Sequence, residues 1–134
     1  MTNEIFQKMR AKPGMGGRVL HAPDGYRKWE EMDWTDAGAA AFVHLFVESR
    51  AQFPGRFQEA VAAVEPGCLF WLSYPKSTGK QTYDIYRDSL WDLVIPRGWH
   101  PVSQVSLDEK WSAIRLRPNE PGREYVRPGT KTPR

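Results

Sequence analysis

Phe42-Val-His-Leu-Phe-Val47, at the centre of Ala39–Glu48, is an almost unbroken apolar run rich in β-forming residues. A strand wetted on one side alternates apolar and polar residues, whereas one covered on both faces need not, so this stretch reads as an inner strand of a parallel sheet. Working outward, Phe53, Phe57, Ala60, Val61 and Val64 recur at helical spacing as one apolar stripe, and Glu65-Pro-Gly67 ends it. The start of that helix stays open. Ser49 and Gln52 have capping-box spacing, yet Pro54 would then sit inside the helix, so the helix either begins at Pro54 or kinks there. Cys68–Tyr74 is a second buried strand, and it opens into the polar loop Pro75-Lys-Ser-Thr-Gly-Lys80.

Upstream, residues 4–10 suit a short helix, Arg18–Ala22 a first strand broken by Pro23-Asp-Gly25, and Tyr26–Met32 a helix with Trp29 and Met32 inward. Asp33–Gly38 reads as a loop. Downstream, Asp84–Ile95 is expected to be helical, closed by Pro96 and Gly98. Val102–Leu107 and Trp111–Arg117 form an antiparallel pair around Asp108-Glu-Lys110. Strands alternating with helices and then a hairpin define the expected fold class. It is α/β, a small, mostly parallel Rossmann-like sheet with helices on both faces and a C-terminal antiparallel hairpin. The strands near positions 20, 45 and 71 should run the same way and gather their carboxyl ends into one rim. Residues 1–117 are taken as a single domain, and residues 118–134, rich in proline and poor in apolar side chains, as a disordered or surface-hugging tail.

Charge narrows the partners. The formal net charge of the 134 residues is +3, of which Arg123, Arg127, Lys131 and Arg134 against Glu120 and Glu124 supply +2 in the tail. A nucleic-acid binder concentrates cations on one face of its body, so nucleic acid is an unlikely partner, and weak association through the tail is the third-ranked reading. One cysteine excludes an internal disulfide. The N-terminus lacks a signal-peptide pattern and no apolar run is long enough to span a bilayer, which makes a cytoplasmic location the expectation and membrane partners unexpected.

The succession from Glu48 through Val64-Glu-Pro-Gly67, a hydrophobic strand, a helix and an antiparallel pair resembles the second half of the Rossmann-like methyltransferase fold over residues 41–117. In that family the cofactor lies over a glycine-rich turn after the first strand, with an acid ending the second. Here His21-Ala-Pro-Asp-Gly25 follows the first strand and Gly14-Met-Gly-Gly17 precedes it, so the cofactor half reads as truncated and no cofactor is expected. Lys12-Pro-Gly14, Val19-Leu-His-Ala-Pro-Asp-Gly-Tyr26, Leu69–Lys76 and Asp108–Arg117 also resemble a family of small bacterial proteins with no assigned activity.

No motif carries chemistry outright. Tyr74 and Gln81 stand where a phosphate-binding loop needs glycine and a hydroxyl residue. Three scattered histidines and one cysteine offer no metal-ligand pair, so no metal is expected, and no serine-nucleophile elbow occurs. Asp84, Asp88 and Asp92 form one acidic helix edge, read as a solvated face. The candidate ligand-binding residues are His21 and Asp24 at the end of the first strand, with Lys76, Ser77 and Thr78 at the end of the 68–74 strand. His44 is read as a hydrogen-bonded core residue, Cys68 as an inert small hydrophobe, and His100 as a loop residue without a sequence partner. Of the tryptophans, Trp71 and Trp91 are assigned to the core, and Trp34, Trp99 and Trp111 to a pocket or partner surface. The leading expectation is a non-catalytic domain that binds a small molecule or a protein. Its rival is an enzyme acting on a small anionic metabolite at the strand-end crevice.

Overall fold

The structure, a computed structural model, describes residues 1–128. Six strands form one sheet in the order β2-β1-β3-β4-β6-β5: β1 (Gly16–Leu20), β2 (Asp33–Trp34), β3 (Ala40–Phe46), β4 (Val64–Pro75), β5 (Trp99–Ser106) and β6 (Trp111–Pro118). Strands β2, β1, β3 and β4 are mutually parallel, and β6 lies antiparallel between β4 and β5. The expected fold class therefore holds.

Alternation along the strands divides the core. Val43, Leu45, Phe70, Leu72, Ile114 and Leu116 pack under α2 (Phe53–Val61) and α3 (Arg87–Val94) through Phe53, Phe57, Ala60, Leu90 and Val94. Phe42, Phe46, Trp71, Trp111 and Ala113 face the other way, toward Phe6 and Met9 at α1 (Asn3–Lys8) and toward Trp29 and Met32. Both faces of β3 are thus covered, which is why its sequence shows no period of two.

Several local expectations are corrected. Tyr26–Met32 is not helical. The amides of Asp33 and Thr35 instead donate to Met15 and Gly17 carbonyls as β2 adds to β1, and the Trp34 indole takes the Trp29 carbonyl. Residues 33 and 34 are therefore strand rather than loop, and Gly16 and Gly17 lie within β1 rather than before it. A Cβ on Gly17 would meet Met32 Cε at 2.8 Å, so this glycine is what lets Met32 and Trp34 close over the strand.

α2 runs from Phe53 with Pro54 in its first turn, where the missing N–H has no intrahelical partner to lose. The Ser49 hydroxyl accepts from Gln52 N–H and the Gln52 side chain accepts from Glu48 N–H, so the spacing noted above orders the turn ahead of the helix. The helix ends at Val61, and Val64-Glu-Pro-Gly67 already belongs to β4. There the register jumps from Ala40↔Val64 to Phe42↔Leu69, a bulge accommodated by Gly67 at φ 77°.

α3 starts at Arg87, three residues after Asp84, whose side chain and carbonyl bind the Arg50 backbone and guanidinium respectively. Beyond β6, Asn119 donates to the Gly98 and Ile95 carbonyls, Tyr125 stacks on His100 at 4.1 Å, and Arg127 pairs with Asp92. His100 thus gains partners, Asn119 and Tyr125, that its sequence neighbourhood does not show. Residues 129–134, with Lys131 and Arg134 of the basic tail, lie outside the described residues. No helix among the described residues is long and apolar enough to cross a membrane.

Candidate functional site

In an open α/β sheet ligands sit outside the carboxyl ends of the strands, where the strand order reverses. Here the chain proceeds from β1 outward to β2 and then returns past β1 to β3, so the switch lies between β1 and β3. His21 follows β1 directly and holds a left-handed backbone at φ 58°, a conformation that strains a residue bearing a Cβ. Its Nε2 lies 3.0 Å from Glu59 Oε1 on α2. The carboxylate that meets His21 is therefore Glu59 and not Asp24, which sits exposed in the turn ahead of Gly25. Glu59 escaped sequence reasoning because it is 38 residues away and reads as an ordinary polar position on an amphipathic helix.

The carboxyl ends of β3 and β4 complete the rim. Glu48 pairs with Lys110 at 3.6 Å, and the Lys76 amide donates to the Lys110 carbonyl. Lys76 Nζ donates to Ser106 Oγ at 2.5 Å and to the Asp108 carbonyl at 2.6 Å, tying the end of β4 to the β5–β6 hairpin. The Ser77 hydroxyl accepts from Tyr83 N–H, and the Thr78 hydroxyl accepts from the amides of Lys80 and Gln81. The structure thus puts Lys76, Ser77 and Thr78 beside β4 and His21 and Asp24 beside β1, as two groups on one sheet edge with β3 between them.

Beneath the rim, His44 is fully buried. Tyr26 Oη stands 3.1 Å from its Nδ1 and Ser73 Oγ 2.6 Å from its Nε2. A neutral imidazole has one donor and one acceptor nitrogen, and two hydroxyls satisfy it in either tautomer. Burial pushes the His44 pKa down to about 3 and raises that of the Tyr26 phenol, so both stay uncharged. The expectation of a hydrogen-bonded core histidine holds. Trp111 joins Trp71 in the core while Trp91 is only half-buried, which reverses the expected places of Trp91 and Trp111. Cys68 is half-buried, and burial pushes its thiol up to about 11. Among the described residues no group of three or more metal-ligating side chains occurs.

A parallel β2-β1-β3-β4 set extended by an antiparallel β6-β5 pair defines the class: the fold is the Rossmann-like fold of methyltransferases. In particular, 87% of the chain superposes on LepI in complex with S-adenosylmethionine (SAM), with a TM-score of 0.52 and 11% identity. The same share superposes on the ribosomal protein L11 methylase of Lactobacillus delbrueckii subsp. bulgaricus, with a TM-score of 0.51 and 6% identity. A complex of DhpI with S-adenosylhomocysteine (SAH) matches at a TM-score of 0.44 and 12% identity over 67% of the chain. The chain spans 76% of the L11 methylase but only 56% of DhpI and 39% of LepI. No family model and no curated protein matches the sequence. These neighbours overturn the expectation of a non-catalytic binding domain: solved chains that share the fold include a methylase and proteins that hold SAM or SAH.

The residues at the β1 and β2 ends do not fit SAM. No helix lies between β1 and β2, so no row of free helical N–H groups stands at the end of β1 to receive a carboxylate. The five residues 35–39 alone join β2 to β3, leaving no further strand or helix to wall an adenine. Tyr26 lies against His44 and Phe46 instead of leaving a cleft.

Proposed function

We propose that this chain is a small catalytic domain of methyltransferase-like fold that takes a small polar molecule at the carboxyl ends of β1 and β3 and moves a proton there. The observation that carries the reading is the His21–Glu59 pair at the switch between β1 and β3, with His21 held in a left-handed backbone. With Glu59 accepting from Nε2–H, the lone pair lies on Nδ1, which serves as the base. As Nδ1 takes the proton, the Nε2–H···Glu59 hydrogen bond holds the ring in place, and the α2 backbone fixes where the carboxylate stands. The charges of Lys76 and Lys110 on the same rim favour a substrate carrying a carboxylate or phosphate, with Ser77 and Thr78 beside them. The fold supports a catalytic role, whereas the SAM of its neighbours has no cradle in these residues, and no step is routed through it.

The test is exchange of carbon-bound protons for deuterium in a panel of small carboxylates, pyruvate and acetoacetate among them, followed by NMR. The wild-type protein accelerates exchange in at least one compound, and His21→Ala loses about 100-fold or more of that acceleration. Glu59→Gln loses less and Lys80→Gln loses none. Acceleration that survives His21→Ala, or its absence across the panel, overturns the reading.

A further inference from the structure

Away from the rim, on the face that carries α1, a basic hollow opens between the end of α1 and strands β4 and β6. It is lined by Arg10, Lys12, Met15, Leu69 and Arg115, and Arg115 also borders a second hollow with Arg117, Glu65 and Cys68. Arg10, Lys12, Arg115 and Arg117 make no ion pair with any described residue, Glu65 included. Arg115 Nε is buried with no hydrogen-bond partner. A guanidinium cannot shed its proton, so it bears the penalties of desolvation and of its cationic neighbours as long as no anion lies beside it. Desolvation, then Arg117 and Arg10, lower the pKa of Arg115 from its ordinary value.

Backbone geometry gives an independent sign. α1 ends with Arg10 N–H on the Gln7 carbonyl and Ala11 N–H on the Phe6 carbonyl, which puts Arg10 at the left-handed position that helices usually give to glycine. With φ at 66°, its Cβ is strained, and no ion pair or hydrogen bond of its side chain offsets that. An arginine held there at a conformational cost, lining the same hollow as a half-buried Arg115 whose Nε has no partner, points to a ligand that both side chains grip.

We propose that Arg10, Lys12 and Arg115, with Arg117 at the margin, form a binding site for a phosphate-bearing small molecule, separate from the strand-end rim. Forked guanidinium donors match a phosphoryl group's oxygens two at a time, and several cations around one hollow suit more than one negative charge. The site stands on its own residues and does not rest on the catalytic reading of His21.

Inorganic pyrophosphate is the probe, titrated by calorimetry at low ionic strength and then at 0.5 M salt. Binding is expected, weakened by salt, and reduced about 10-fold or more by Arg115→Gln and by Arg10→Gly. Arg10→Gly is the informative variant because it relieves the left-handed strain: its melting temperature should rise or hold while its affinity falls, which separates lost binding from lost fold. Arg115→Lys should recover only part of the affinity, and His21→Ala all of it. No binding to wild type, or equal binding by Arg10→Gly and Arg115→Gln, overturns the proposal.

Discussion

At the scale of single residues, His44 decides how the core responds to acid. Unfolded, it takes a proton near pH 6.5, whereas folded it does so only near pH 3 because it is buried. Between those values the unfolded chain binds more protons, so its contribution to stability is complete above pH 6.5 and is lost as pH falls toward 3. That amounts to about 2 kcal/mol between pH 7.5 and 5. Urea melts at both pH values should show this loss in the wild type and a shallower one in His44→Gln, whereas equal slopes would mean that His44 is not buried neutral. Ser73→Ala would leave Nε2 without its partner and destabilise the fold by about 1–3 kcal/mol at pH 7. Sequence foretold a satisfied core histidine but not its partners, because Tyr26 and Ser73 lie 18 and 29 residues away and polar contacts across strands leave no local pattern. The same limit hid Glu59 from His21. What the sequence did offer was His21 two residues ahead of the Pro23-Asp-Gly25 turn, where a strand had to end.

At the scale of elements, patterns with a strong period were legible and those set by pairing were not. The stripe on α2 gave the helix and its buried face, and the structure stacks Phe53 on Phe57 and Phe57 on Phe70 with centroids 4.9 and 5.8 Å apart. Phe57→Ala should therefore cost about 3–5 kcal/mol, read as a drop in the urea midpoint at unchanged slope. A loss under 1 kcal/mol would place α2 off the sheet. The end of α2 was misjudged because Pro66 and Gly67 signal a break equally well for a helix or for a bulged strand start, and only the β3 register distinguishes the two. Tyr26–Met32 was misread as helix because Trp29 and Met32 have helical spacing, while the pairing of β2 with β1 claims the amides that follow. Local propensity lost to a ladder formed by residues 15–17 and 33–35.

At the scale of the whole molecule, the sheet order was within reach of sequence because buried runs separated by helices leave few alternatives to a parallel set with a terminal hairpin. The proposed site was not, because the rim is assembled from the ends of β1, β3 and β4 and from α2, and its members share no motif. The central claim is that these ends form one working site. It is tested most directly by amide chemical-shift mapping of the ¹⁵N-labelled protein with whichever carboxylate shows accelerated exchange, recorded for wild type and Glu59→Gln. Shifts are expected at Leu20–Gly25 and Phe46–Gln52 that appear together and titrate to one dissociation constant. Shifts confined to other edges of the sheet, or two sets titrating independently, would contradict it.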